Sequence, residues 1–258
     1  MNFVRKRVII TGAAGLIGTW IAKAFAEKEA CLWLLDIRKE ELDELIKEDS
    51  FGRASEVRIE QIDLLDYEAI QSFAKKVEEA WGAPDIVINN AGVYPSQMLL
   101  DVTQEEWEKV LGLNLHAPFT LTKELAKQMI LENVQGSIVN IISRSAFVPR
   151  LGSGSYAVSK AGLHMLTRSF ALELAPHKIR VNSLSPGLTP GSQVNSLSEN
   201  YIEAMLKNIP LGRTAGPNDA PQAILFLCSE HASFITGATL TVDGGNSAGI
   251  FNLPLSNE

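Results

Sequence analysis

Cysteine is scarce in this chain, with two among 258 residues. Cys31 lies in Ala-Cys-Leu-Trp and Cys228 in Phe-Leu-Cys-Ser, apolar settings far apart in sequence. Buried free thiols in a reducing cytosol are therefore expected rather than a disulfide. Long apolar runs are missing as well, and none approaches the ~20 residues of a membrane span. Met1 to Arg7 leads straight into a strand-like segment without a signal-peptide h-region, so the expected location is cytoplasmic, with no membrane association. Basic charge is not in excess. The balance of 23 Lys and Arg against 30 Asp and Glu leaves a net charge of −7, which argues against nucleic acid as a partner. There is no low-complexity segment, no internal repeat and no composition shift, so residues 1–258 are expected to form a single domain. No residue is expected to bind a metal.

What is present is an alternation of strand and helix patterns. Arg7-Val-Ile-Ile-Thr11 is a β-branched run typical of a strand covered on both faces. Gly12-Ala-Ala-Gly-Leu-Ile-Gly18 follows, and Thr19 to Lys28 has helical spacing. Strand, glycine turn and helix start in that order make a phosphate cradle: glycines admit the pyrophosphate, and the helix N-terminus supplies N–H donors. A plain αβ turn is the alternative, but the first βα unit is where a dinucleotide binds. The second strand, Ala30 to Asp36, ends in an acid a little over twenty residues past the first glycine. A carboxylate there accepts hydrogen bonds from the adenosine ribose and repels a 2′-phosphate, favouring NAD over NADP. Arg38 could accept that phosphate, or it could simply open the acidic helix Lys39 to Asp49 in solvent.

Further strands are expected at Val57–Asp63, Pro84–Asn89, Gly136–Ile142, Ile179–Leu184 and Ala238–Val242, and helices at Tyr67–Trp81 and Pro217–Cys228. The alternation implies an α/β fold with a doubly wound parallel sheet and helices on both faces. Asn90-Ala-Gly92 places small residues where a flat ring can lie against backbone. Trp107 to Leu131 is a long helical stretch interrupted near Asn114-Leu-His-Ala-Pro118. An amide inside an apolar helix must find partners, and a kink-stabilising core residue is one reading of Asn114. Ser143 stands at the C-terminal end of the fifth strand, where doubly wound sheets bind ligands; simple turn chemistry is the other reading. The polar, weakly helical stretch within 188–215 reads as a small substrate flap.

The sharpest local pattern is Gly154-Ser-Tyr-Ala-Val-Ser-Lys160. Tyr156 and Lys160 are four residues apart, so on a helix they share a face. A phenol has a reference pKa near ~10, and acid/base work near neutral pH needs it lowered by roughly 2–3 units. A nearby ammonium and the charge of a bound cofactor act in that direction. Alone, a Tyr-x-x-x-Lys decides little.

Taken together, the Thr11–Gly18 turn, Asp63, Asn89-Asn-Ala-Gly92, Asn114, Ser143, Tyr156-x-x-x-Lys160, Pro186-Gly187 and Val242-Asp-Gly-Gly245 resemble the classical short-chain dehydrogenase/reductase (SDR) family over essentially the whole chain. The resemblance implies a seven-stranded Rossmann-type sheet and, commonly, a homotetramer. It implies Tyr156 as acid/base, Lys160 holding the nicotinamide ribose and lowering the phenol's pKa, and Ser143 bonding the reacting oxygen. Asn114 would hold a water between Lys160 and solvent. Gly12, Gly15, Leu16, Ile17 and Gly18 would carry the pyrophosphate, Asp36 the ribose, and Asp63 and Leu64 the adenine. Asn90, Ala91 and Gly92 would line the cofactor, and Pro186, Gly187, Leu188 and Thr189 would flank the nicotinamide. Two departures stand out. The glycines at 12, 15 and 18 have the spacing of the extended branch, which includes sugar-nucleotide epimerases and dehydratases. Gly191 stands where the family often has Thr, leaving carboxamide contacts to Thr189 or Ser192.

The leading functional expectation is an NAD-dependent oxidoreductase of a small secondary alcohol or ketone, with a sugar, polyol or hydroxy acid among the options. The alternatives are a 3-oxoacyl-type reductase, an NAD-retaining epimerase or dehydratase, and a non-catalytic dinucleotide-binding protein. A carrier-bound thioester ranks lower, because Met129–Gln135 has no Lys or Arg and Phe170–Pro176 carries only Glu173 as a charge. Arg144 and Arg150 lie in the loop between Ser143 and Tyr156. Either of them contacts an anionic or polyhydroxylated substrate, or both face solvent or acids of a neighbouring subunit.

Overall fold

The computed structural model describes residues 1–192 and 197–251. Val8, Ile9 and Ile10 are fully buried in β1 (Arg7–Thr11), as a β-branched run between two helical layers requires. The chain continues through α1 (Leu16–Ala26), β2 (Cys31–Asp36), α2 (Lys39–Leu45), β3 (Glu56–Gln61), α3 (Tyr67–Trp81) and β4 (Ile86–Asn89). Its second half runs α4 (Gln104–Leu111), α5 (Ala117–Leu131), β5 (Ser137–Ile141), α6 (Gly154–Leu174), β6 (Arg180–Pro186), α7 (Glu199–Leu206), α8 (Asp219–Cys228) and β7 (Thr239–Val242).

The strands form one parallel seven-stranded sheet in the order β3-β2-β1-β4-β5-β6-β7. Side chains alternate between its faces with period two. Val8, Ile10, Leu32, Leu34 and Ile88 pack under α1, α2 and α8. Ile9, Trp33, Leu35, Val87 and Ile138 pack under α3, α5 and α6. This is the doubly wound α/β arrangement expected from the alternating patterns. The winding reverses between β1 and β4, and a crevice opens at the carboxyl ends of these strands.

Local chemistry explains where the elements begin and end. The Asp66 side chain accepts from the Glu68 and Ala69 amides and starts α3, and Gly82 at φ +71° ends it. A reciprocal capping box between Thr103 and Glu106 opens α4. Three boundaries differ from the sequence expectation. Helix α1 starts at Leu16, not Thr19, because extended Gly15 serves as its N-cap. The acidic helix α2 stops at Leu45, and a 3₁₀ turn over Asp49–Arg53 replaces its end. Helix α8 starts at Asp219 rather than Pro217. Of the expected flap, 193–196 lie outside the described residues, while α7 forms within 197–215.

Cys31 and Cys228 are unpaired, yet each keeps part of its surface instead of being fully buried, since each sits at the end of its element. Among the described residues, no helix is long and apolar enough to cross a membrane.

Candidate active site

The crevice holds a cavity of about 610 Å³, within the range of small-molecule sites. One wall is the glycine turn. Gly12 has φ +63°, and a Cβ there would lie 2.8 Å from the Ala91 Cα, so the turn and the strand-β4 loop meet backbone to backbone. Buried Thr11 splices them: its Oγ1 accepts from the Asn90 and Ala91 amides at 3.0 Å each. Asn90 Nδ2 donates to the Thr11 and Gly12 carbonyls. Gly12, Gly15, Leu16 and Ile17 line the cavity, as do Asn90, Ala91 and Gly92. Gly18 does not. A Cβ on Gly18 would fall 2.1 Å from the Gly12 carbonyl oxygen, so its part is to let α1 close against the turn.

Asp36 ends β2 at the rim of the same cavity. Its Oδ2 accepts from the Ala14 amide at 3.1 Å, and its Oδ1 meets Arg38 Nε at 3.2 Å. Arg38 also pairs with Glu41 at 2.7 Å. Asp63 and Leu64 lie further along the rim, the Asp63 carboxylate accepting from the Leu65 amide. On the opposite side, Pro186, Gly187, Leu188 and Thr189 leave β6 along the cavity. A Cβ on Gly187 would strike Asp243 at 2.7 Å, which packs the β6 exit against the end of β7. Ser192 and Thr189 both line the cavity; Gly191 at φ +92° turns the chain between them.

At the deep end, α6 presents Tyr156 and Lys160 as adjacent turns of one helix, and β5 delivers Ser143. Ser143 and Tyr156 both line the cavity there, with the Ser143 hydroxyl placed to lower the phenol's pKa. The Lys160 ammonium lies 5.8 Å from the centre of the Tyr156 ring and donates to the Ile141 carbonyl at 2.8 Å. It is almost wholly buried, which lowers its pKa to about 8. Part of the Tyr156 surface stays open to the cavity, yet loss of bulk water raises the phenol's pKa. The Ser143 hydroxyl and the Arg150 charge pull it back down. The expectation that the ammonium sets the phenol low is thus not met by the chain alone, because burial raises the phenol and the buried ammonium is itself weakened.

Asn114 sits in a π-helical turn, Gly112–His116, between α4 and α5. The extra residue of that turn carries its amide inward. Asn114 Oδ1 accepts from the Val93 amide at 2.9 Å, and its Nδ2 donates to the Val93 carbonyl at 2.8 Å and to Ser159 Oγ at 3.0 Å. It therefore clamps the strand-β4 loop to α6 from behind the cavity wall and does not line the cavity itself. Arg144 and Arg150 both line it. Sequence reasoning missed Tyr94, Tyr201 and Asp243. Tyr94 stacks edge-on to Tyr156 with ring centres 6.1 Å apart. Its position four residues past Asn90 was the available signal.

A family model described as Enoyl-(Acyl carrier protein) reductase matches residues 12–247. The chain is 36% identical over 245 residues to the 3-oxoacyl-[acyl-carrier-protein] reductase FabG of Thermotoga maritima, covering 95% of this chain and 99% of that one. It belongs to the short-chain dehydrogenase/reductase family. Such proteins are oxidoreductases that typically bind a dinucleotide, and this short-chain dehydrogenase/reductase has relatives of differing specificity. It is 36% identical over 247 residues to the L-xylulose reductase of Mus musculus, covering 95% and 98% of the two chains. A structure of 4-hydroxyisoleucine dehydrogenase complexed with NADH superposes with a TM-score of 0.87 at 33% identity, covering 95% of this chain and all of that one.

Proposed function

We propose that the chain is an NAD-dependent oxidoreductase of a small secondary alcohol, or of the matching ketone, with Tyr156 as the acid/base. The observation that carries this reading is that Ser143, Tyr156 and Lys160 line the same cavity as the glycine turn and Asp36. When bound, the nicotinamide would supply the hydride acceptor or donor, and its oxidised ring would add positive charge to the deep end. The residues present fit such a cofactor: Gly12, Gly15 and Gly92 line the cavity without side chains, and the Asp36 carboxylate stands at its rim.

Each residue then has a task. Gly12, Gly15, Leu16 and Ile17 present backbone to the pyrophosphate, with Gly18 closing the turn behind them. Asp63 and Leu64 bound the adenine, and Asn90 to Gly92 with Pro186 to Thr189 hold the two sides of the cofactor. Ser143 bonds the substrate oxygen, and Tyr156 gives or takes its proton. Lys160, at about 8, is close enough to neutral solution to relay a proton. Asn114 fixes the loop and α6 in register behind it. Asp36 selects NAD. Arg38 is held between Asp36 and Glu41, so a 2′-phosphate would meet one carboxylate and compete with two for the guanidinium.

The chain acts in this reading as a single cytoplasmic domain, with Leu188, Thr189, Ser192, Leu197, Tyr201 and Met205 lining one side of the cavity. Phe119, Val158, Met165 and Leu172 expose apolar surface on α5 and α6, which supports a homotetramer. A second reading, a 3-oxoacyl reductase, is favoured by the FabG relative. A screen of secondary alcohols with added NAD, following absorbance of the reduced cofactor, tests the proposal. Turnover that needs added NAD supports it. Activity only with carrier thioesters supports the second reading, and turnover without added cofactor supports an epimerase or dehydratase.

A further inference from the structure

We propose that Arg150 anchors a carboxylate of the substrate, so that the alcohol is a short hydroxy acid and the ketone its keto acid. This rests on the oxidoreductase reading above for its chemistry, though not for its binding site. The first support is how firmly the arginine is placed. Ser153, almost fully buried, accepts at Oγ from the Arg150 amide at 3.2 Å and donates to the Arg150 carbonyl at 2.8 Å. The Ser153 amide donates to the same carbonyl, and Gln97 N bonds Gly152 O at 2.8 Å next door. This pins the loop between β5 and α6 to the loop after β4, and Arg150 starts from a fixed base.

The second support is the state of its guanidinium. The guanidinium carbon lies 5.4 Å from the centre of the Tyr201 ring on α7. A guanidinium set over an aromatic face keeps its in-plane N–H donors for other acceptors. Among the described residues it has no carboxylate partner, whereas Arg7, Arg58 and Arg213 are each paired with one and Arg38 with two. The acids of the cavity wall are engaged elsewhere. Asp36 holds Arg38, Asp63 accepts from the Leu65 amide, and Asp243 accepts from the amides of Gly245 and Ser247. A positive charge in an enclosed wall, with its own protein's carboxylates turned away, is matched by an anion from outside.

The third support is a shared cavity. Arg150 and Tyr156 line the same cavity, so an anion bonded to Arg150 occupies the space that the reacting oxygen enters. Arg144, next to Ser143, lines the same cavity, and its Nε is buried with no hydrogen-bond partner among the described residues.

The test compares matched pairs in wild type, Arg150→Met and Arg150→Lys: lactate against methyl lactate, 3-hydroxybutyrate against its methyl ester, and gluconate against glucitol. Steady-state kcat/KM with NAD is measured for each, and the acids are also titrated calorimetrically into the protein–NADH complex, where no turnover occurs. At least one acid should exceed its neutral partner by about 10- to 100-fold, the range for a hydrogen bond to a charged group. Arg150→Met should erase most of that ratio by raising KM for the acid, and Arg150→Lys should restore part of it. Loss of the charge also moves the Tyr156 pKa, but both members of a pair feel that change, so it cancels in the ratio. A ratio near one for every pair in wild type, or a ratio that survives in Arg150→Met, overturns the proposal. If no alcohol is oxidised while the acids still bind in an Arg150-dependent way, the carboxylate site stands and the oxidoreductase reading falls.

Discussion

Replacing Lys160 with Met removes a charge whose cost to the fold can be worked from its surroundings. The side chain is almost wholly buried, and its one hydrogen-bond partner among the described residues is the neutral Ile141 carbonyl. Burial lowers its pKa from 10.5 to about 8, which corresponds to about 3 kcal/mol of preference for the neutral amine. The sign follows from linkage. Below about pH 8 the amine is protonated in both folded and unfolded chains, and the full cost is present. As pH rises from about 8 towards 10.5 the folded chain gives up its proton first, so the protein lacking nucleotide gains up to about 3 kcal/mol. Cys228 works the other way. Burial pushes its thiol from 9.0 up to about 12, so its contribution is lost as pH rises through that window. That loss is common to wild type and variant and cancels in their difference. Urea unfolding of both proteins at a series of pH values from about 7 to 10.5 gives the difference directly. Wild type should gain on Lys160→Met by about 3 kcal/mol across the series. A difference that stays flat with pH would refute the claim that the ammonium is buried without a counter-charge.

Three further outcomes follow from the same geometry. Gly18→Ala places a Cβ against the Gly12 carbonyl oxygen and should cost ~1–3 kcal/mol in thermal or chemical denaturation, with weaker dinucleotide binding because the turn must open. Asp36→Ala frees Arg38 from one of its two carboxylate partners and should shrink the preference for NAD over NADP, read as the ratio of kcat/KM values; a wild-type preference for NADP would contradict the role given to Asp36. Ser143→Ala removes the hydroxyl that holds the Tyr156 pKa down and should raise it further, moving the pH–rate profile for alcohol oxidation to higher pH.

Much of this was legible in the residues because it depends on period and order. Val8 to Ile10 announced a strand buried on both faces, and the run from Gly12 to Gly18 announced a turn into a helix. Asn114 was legible only as an anomaly, a buried amide in an apolar helix. Its partners on Val93 and Ser159, and the π-turn that aims it, come from segments far apart in sequence. The strand order was out of reach in detail, since alternation implies parallel strands without saying that β1 lies beside β4. The charges were least legible. Arg38 and Arg150 look alike in sequence, yet one is locked between two carboxylates and the other, among the described residues, is stacked on Tyr201 without one. Tyr201 lies fifty-one residues beyond Arg150, and only the packed fold brings them together. The direction of the Tyr156 pKa also escaped, because burial depends on the whole cavity wall and not on the Tyr-x-x-x-Lys spacing.

The central claim is that Tyr156 moves the substrate proton while the rest of the cavity holds the cofactor. Tyr156→Phe keeps the ring packed against Tyr94 and removes only the hydroxyl, so single-turnover rates and NADH binding should be measured side by side in wild type and variant. The rate should fall by ~10²–10⁴-fold, as for the loss of a general acid/base, with the dissociation constant for NADH changed only slightly. A variant that turns over at close to the wild-type rate, with NADH still bound, would contradict the account.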